Sequence, residues 1–177
     1  MRLMQPAQVL SRDEIARRIP HQGRMCLLDQ VSAWDASHII CEASSHQAVD
    51  NPLRAHGRLG AACGIEYAAQ AMAMHGALVA ETGIESGLAN SPTRGGYLAS
   101  VRSVSLLVDR LDTLADPLTV HAERITGDSN TVLYRFSLAA GRQTLLSGRA
   151  VVVLDAAALS PRANGLDLPQ TPTRTSP

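Results

Sequence analysis

The stretch "GIEYAAQAMAMHGALVAETG", residues 64–83, decides how the rest of this chain must fold. Ala, Met, Leu and Glu are strong helix formers, so the stretch is expected as one long helix over 64–83. Its apolar residues fall on nearly every face instead of along one stripe, and a helix of that kind has to be surrounded by protein. Its first turn nevertheless carries an acid, Glu66, where an unpaired buried charge is expensive.

The surroundings are supplied by strands. Upstream, "SRDEIARRI" opens with Ser11 and has Glu14 three residues on, a capping box ahead of a short helix near 11–19 that stops at Pro20. Few of its positions are apolar, so it is expected on the outside. "MCLLDQVSAW" and "SHIICEASS", separated by "DA", read as two strands of a hairpin. Downstream, "IESGLANSPTRGG" has the Gly, Ser, Asn and Pro content of an irregular connection. Strands follow from Tyr97, Pro117, Thr131 and Gln143, with hairpin-like turns at "GDSN" and "AAGR". In the strand from Thr131, Val132, Tyr134, Phe136 and Leu138 share one side, and Leu133, Arg135 and Ser137 the other.

This order is α+β, unlike the strand-helix alternation of a parallel sheet. An antiparallel sheet buries one face, and the 64–83 helix is the one element large enough to cover it. Wrapping the sheet around the helix, and pairing with a second copy, removes the helix's remaining exposure. That is the hot dog arrangement, expected here as a single domain over 1–154. Beyond it, "DAAALSPRANGLDLPQTPTRTSP" from Asp155 is rich in Pro, Thr and Ser without periodicity, and 155–177 is expected as a disordered or loosely attached tail.

Length and charge agree with one globular domain. The chain has 177 residues, 45% hydrophobic, with a formal net charge of zero, which argues against nucleic-acid binding by bulk charge. All 16 basic residues are arginine, so any anionic partner would meet forked guanidinium groups. Cys26, Cys41 and Cys63 are odd in number and lack C-x-x-C spacing, which suggests reduced thiols and no zinc site. The N-terminus has no signal-peptide pattern and no window approaches a membrane span, so a cytoplasmic protein is expected.

Two motifs are similar to those of a known family, the hot dog fold acyl carrier protein dehydratases, which remove water from 3-hydroxyacyl thioesters. "IPHQGRMCLLDQV", from Ile19 to Val31, resembles the opening of those enzymes, and "GIEYAAQAM", from Gly64, resembles the start of their central helix. With "NPL" from Asn51, the pattern is most similar to the dehydratase-like subunits of aryl polyene pathways, over roughly residues 15 to 154. The resemblance implies a 3-hydroxyacyl group carried by acyl carrier protein or coenzyme A, no cofactor, and a homodimer or a heterodimer with another hot dog subunit.

It also implies roles for particular residues. Glu66 matches the family's helix acid, and the helix start favours a carboxylate there. Backbone amides near Cys63 and Gly64 are expected to polarise the thioester carbonyl. Gln70, one turn along and grouped with the substrate-binding candidates, has two open readings: it orients Glu66 by hydrogen bonding, or it satisfies a neighbouring backbone group. The family's second group is a His of the facing protomer, fourteen residues before the acid. Counting back from Glu66 reaches Pro52, with Asn51 beside it, and neither is a general base. Three alternatives stand open: His56 has taken the role; Asn51 only holds a substrate oxygen, with Glu66 working alone or beside a complete partner; or His21 or His46 reaches in. An acidic carrier protein would dock on arginines near the site, for which Arg54, Arg58, Arg94 and Arg102 are candidates.

Plainer readings stand beside these. A lone Glu at a helix N-terminus is by itself a helix-stabilising residue. Cys63 reads as a small buried thiol, Met72 and Met74 as core packing, His75 as a polar or packing residue, and His38 and His121 as water-facing strand positions. No metal constellation and no phosphate loop is present. Two rival functions fit the same fold: an acyl thioesterase, and a catalytically silent acyl-binding partner of a dehydratase.

Overall fold

Burial alternates along residues 131–140: Val132, Tyr134, Phe136 and Leu138 are buried, whereas Leu133, Arg135 and Ser137 are not. A strand with one apolar side builds a sheet with two unlike faces. The computed structural model, which describes residues 9–82, 96–128 and 130–153, has such a sheet of seven antiparallel strands. They are β1 (Leu10–Ser11), β2 (Gln30–Trp34), β3 (His38–Ala43), β4 (Tyr97–Leu106), β5 (Leu118–Gly127), β6 (Thr131–Ala140) and β7 (Gln143–Val153). Their spatial order is β1-β2-β3-β5-β6-β7-β4. Two helices accompany them, the short α1 (Arg12–Ala16) and the long α2 (Gly64–Thr82).

α2 lies across the inner face, against β3, β5 and β6. Tyr67, Ala68, Ala71, Met72, Met74 and Leu78 join one core cluster with Val120, Phe136, Leu138 and Leu146. What stays half-buried is a stripe at helical spacing, Ile65, Glu66, Ala69, Ala73, Gly76 and Ala80, of mostly small residues. At the helix start Gly64 has no room for a side chain: a Cβ would run into Leu146 Cδ2 and stand 3.0 Å from Leu138 Cδ2. The first turn of α2 is therefore pressed onto β6 and β7. An antiparallel sheet around one long helix is the hot dog fold.

Two local expectations are corrected. α1 is shorter than 11–19 and is not merely peripheral, because Ile15 and, just past the helix, Ile19 are buried in the core. Residues 25–29 are not strand: a 3-10 turn covers Gly23–Met25, and β2 begins only at Gln30. The reason is at Leu27, whose N–H is held by a side chain of α2 and so cannot join a ladder.

Among the described residues β4 ends the sheet and has one strand neighbour, β7. Tyr97, Leu98, Val104 and Leu106 on it, and Leu107 after it, are exposed, so the free edge is also apolar. Among the described residues no helix is long and apolar enough to cross a membrane. The connection expected after residue 83 falls largely outside the described residues, as do Arg94 and the expected tail over 155–177.

Candidate functional site

Glu66 sits in the first turn of α2 with a half-buried side chain. His21, just past Pro20 on the segment that follows α1, brings Nε2 to 3.1 Å from Glu66 Oε1 within the same chain. Gln70, one helical turn on, donates from Nε2 to the same oxygen, also at 3.1 Å. The Gln70 amide cannot turn over. Its Oε1 accepts the Leu27 N–H at 2.9 Å and its Nε2 donates to the Met25 carbonyl at 2.8 Å, and reversing it would set acceptor against acceptor and donor against donor. Oε1 of Glu66 is thus an obligate acceptor, and a proton taken up by this carboxyl goes to Oε2.

The His21 hydrogen bond holds the Glu66 carboxyl below the usual carboxylate range, aided by Gln70 and opposed by burial. Glu66 is therefore an ionised carboxylate at neutral pH. Facing it, His21 Nε2 is the group directed at Oε1, and among the described residues the buried Nδ1 of the same ring has no hydrogen-bond partner.

A second set of bonds ties the loop before α2 to the helix. Ser45 Oγ gives its proton to the Leu27 carbonyl at 2.8 Å, so in its 2.9 Å contact with Tyr67 the phenol is the donor. Tyr67 in turn accepts from Asn51 Nδ2 at 3.0 Å. Asn51 also donates to the Ser45 carbonyl and accepts from the Leu53 N–H. The bonds run in one sense from Leu53 through Asn51, Tyr67 and Ser45 to Leu27, whose N–H opens the link to Gln70 and Glu66. The same loop is anchored from the other side by Asp112. Its buried carboxylate meets Arg110 at 2.7 Å, Arg54 at 3.3 Å and the Leu59 N–H at 3.1 Å.

These contacts sort the residues singled out in the sequence. Glu66, Gln70 and His21 come together. Asn51 is buried beside Tyr67, with both ends of its amide engaged in the loop. His56 does not reach Glu66 of its own chain: it is exposed on the tight turn between Ala55 and Arg58, with φ of 51°. His46 is fully buried, with Nε2 3.3 Å from the Leu114 carbonyl.

The amides of Cys63 and Gly64 are already engaged, with the carbonyls of Gly60 and of Ala61 and Ala62, because a 3-10 turn over Ala61–Cys63 runs directly into α2. Ala61 donates to Asp109. The Ala62 N–H is the one in this turn without a partner among the described residues. Cys63 is half-buried, its thiol raised by burial.

Arg54 is nearly covered and bound to the Ala48 and Gly57 carbonyls besides Asp112, which leaves it little for docking. Arg58 and Arg102 are exposed. His75 is buried, between the Tyr134 hydroxyl and the Asp35 carbonyl, each at 2.9 Å. His38 and His121 are partly exposed and stack on each other, ring centroids 5.5 Å apart. Among the described residues no cluster of His, Cys, Asp and Glu is arranged to hold a metal ion.

A protein-family model described as ApeP-like, ApeP dehydratase, matches residues 13–160. No curated protein sequence matches the chain. Among solved structures, it is similar to the dehydratase heterocomplex ApeI:P from Xenorhabdus doucetiae, with a TM-score of 0.66 and 23% identity over 80% of this chain and 90% of that one. It is also similar to a thioesterase family protein from Silicibacter pomeroyi, with a TM-score of 0.54 and 14% identity over 80% and 93%. The E. coli PaaI protein of the phenylacetic acid degradation operon has a TM-score of 0.51 and 15% identity over 80% and 88%. At these identities the structural likenesses establish the fold.

Proposed function

Because the chain belongs to the ApeP-like dehydratase family, we propose that it converts a 3-hydroxyacyl thioester to the 2-enoyl thioester, with Glu66 carrying the proton. The observation that supports this most directly is the unequal state of the two Glu66 oxygens, Oε1 held by His21 and Gln70 and Oε2 left to the substrate. In this scheme Oε2 takes the proton from the α-carbon, and the electrons of that C–H bond form the new double bond as the C–O bond to the 3-hydroxyl breaks. The proton on Oε2 passes to the departing hydroxyl, water leaves, and the carboxylate is restored. His21 keeps Oε1 partnered throughout. The Ala62 N–H, at the positive end of α2, is the amide we assign to the thioester carbonyl, where charge gathers as the α-proton leaves.

The thioester is held on acyl carrier protein or coenzyme A, with the exposed Arg58, on the loop before α2, as a cationic contact for an acidic carrier. A second hot dog subunit, identical or different, pairs along the free apolar edge of β4. That pairing is supported by the edge's exposed Tyr97, Leu98 and Leu106 and by the likeness to a heterocomplex.

The test is incubation of the protein, alone and with a complete dehydratase subunit, with 3-hydroxyacyl and saturated acyl thioesters. Formation of 2-enoyl product without thiol release is the expected result. Free thiol from both substrates would instead mark a thioesterase, and product formed only with the added subunit would mark a silent partner.

A further inference from the structure

We propose that the outer face of the sheet, away from α2, carries a phosphate-binding recess built on Arg149 and Arg135. The recess, of about 220 Å³, is lined by Ser103 of β4, Ser147, Gly148 and Arg149 of β7, Arg135, Phe136 and Ser137 of β6 and His121 of β5. It is open on the solvent side. Its hydroxyl and guanidinium groups are hydrogen-bond donors, which suits an oxyanion.

The strand register is what makes the site unusual. Arg102 pairs with Arg149, and Arg149 with Arg135, so three guanidinium-bearing residues stand directly across three adjacent strands. Like charges directly opposed destabilise a sheet. One acid answers them: Glu123, next in the row, meets Arg135 at 2.6 Å. Among the described residues neither Arg102 nor Arg149 has an ion-pair partner. In a chain with zero net charge, such a row is a local excess of positive charge that a bound dianion would offset.

Next to this row runs a second one, Ser105, Ser147, Ser137 and His121, also in direct register. Between the two rows β4 is bulged, with Ser103 at φ of 51°, so the ladder opens where the recess lies.

The recess is not an entrance to Glu66. Leu146 and Leu138, each one residue from a serine of the recess, point to the inner face and pack where Gly64 begins α2. The sheet itself separates the two places, so the inference does not rest on the proposed reaction.

The experiment follows backbone amide signals and thermal midpoint as inorganic phosphate replaces chloride at constant ionic strength. The expected result is saturable shifts at Ser137, Ser147 and Arg149 and a raised midpoint, with both responses reduced at least fivefold in Arg149→Gln and in Ser147→Ala. In chloride, Arg149→Gln should melt no lower than wild type, since it removes a repulsion. Adenosine 3′,5′-bisphosphate is titrated alongside: binding at least tenfold tighter than phosphate assigns the recess to a nucleotide-borne phosphate, and equal or weaker binding assigns it to the free ion. Absence of saturable shifts at these residues, or the same response in Arg149→Gln as in wild type, overturns the proposal.

Discussion

His21 Nε2 lies 3.1 Å from Glu66 Oε1, and both side chains belong to one chain. The acid is thus paired before any second subunit arrives. Gln70 saturates the same oxygen from the opposite direction in sequence, and its own orientation is locked by Leu27 and Met25. A carboxylate fixed in this way presents its second oxygen, unpartnered among the described residues, in a fixed place.

Replacement of the pair should separate its members. Glu66→Gln keeps the shape and removes the base, and kcat/KM for dehydration should fall by about 10²–10⁴, the usual worth of general acid-base catalysis. His21→Phe should lower kcat about tenfold, roughly 1.4 kcal/mol of barrier, by releasing Oε1. His56→Ala should leave activity of the isolated chain within about twofold, since His56 is exposed on its turn and, among the described residues of its own chain, makes no hydrogen bond or ion pair with Glu66. Steady-state kinetics of the three variants, with circular dichroism to confirm folding, checks all of this. A large loss in His56→Ala would show that a second subunit brings that imidazole to Glu66.

The acid limb of activity should respond to His21 as well. The hydrogen bond from His21 holds the Glu66 carboxyl low, so the reactive carboxylate persists to lower pH than an ordinary Glu would allow. Activity is present above that pKa and is lost as pH falls through it. In His21→Phe the carboxyl rises and the limb of the kcat profile should move to higher pH, while in Gln70→Ala it should move the same way by less. A pH–rate profile is the measurement, and an unmoved limb in His21→Phe would contradict the assigned cause.

Much of this arrangement was legible in the sequence, and the parts that were not share one cause. The helix apolar on all sides needed a sheet around it, and the alternation from Val132 to Leu138 supplied the buried side of that sheet. Glu66 and Gln70 were readable because they lie one turn apart on the same helix. His21 lies in the motif "IPHQGRMCLLDQV", but its pairing with Glu66 was not legible, because 45 residues separate the two and no local pattern records that contact. Residues 25–29 read as strand from their apolar character, yet the competing acceptor for Leu27 is a distant side chain, and tertiary bonding overrode local propensity. Ser45 carried no signal at all. Its role exists only once Leu27, Tyr67 and Asn51 are assembled around it.

Acid should weaken the fold through its buried histidines before it reaches the carboxylates. Burial pushes the His75 imidazole below its ordinary value of 6.5, and the same holds for His46. Below about pH 6.5 the unfolded chain binds protons that the folded chain refuses, so stability falls with pH from there down to the folded-state values. Glu66 and Asp112, held low in the folded state, keep their contribution until the pH drops below the ordinary carboxylate range. The thermal midpoint should therefore decline between about pH 7 and pH 5, and the decline should be shallower in His75→Gln. An equal slope in that variant would remove His75 from the account.

Two glycines of α2 should answer oppositely to the same substitution. Alanine is the better helix former by about 0.8–1.0 kcal/mol. At Gly76 nothing lies within 4 Å of an added Cβ, so Gly76→Ala should gain most of that preference. A gain of about 1 kcal/mol corresponds to roughly 2–4 °C for a chain of this size. At Gly64 the added carbon collides with Leu146 and crowds Leu138, both fully buried. Overpacking of this kind costs about 1–3 kcal/mol, enough to cancel the helix preference and displace the first turn of α2 from β7. Because Glu66 rides on that turn, Gly64→Ala should lower kcat even at temperatures where the variant is fully folded. Differential scanning calorimetry and kinetics on the pair check both halves, and a Gly64→Ala variant as active and stable as Gly76→Ala would mean the helix start is not held against the sheet.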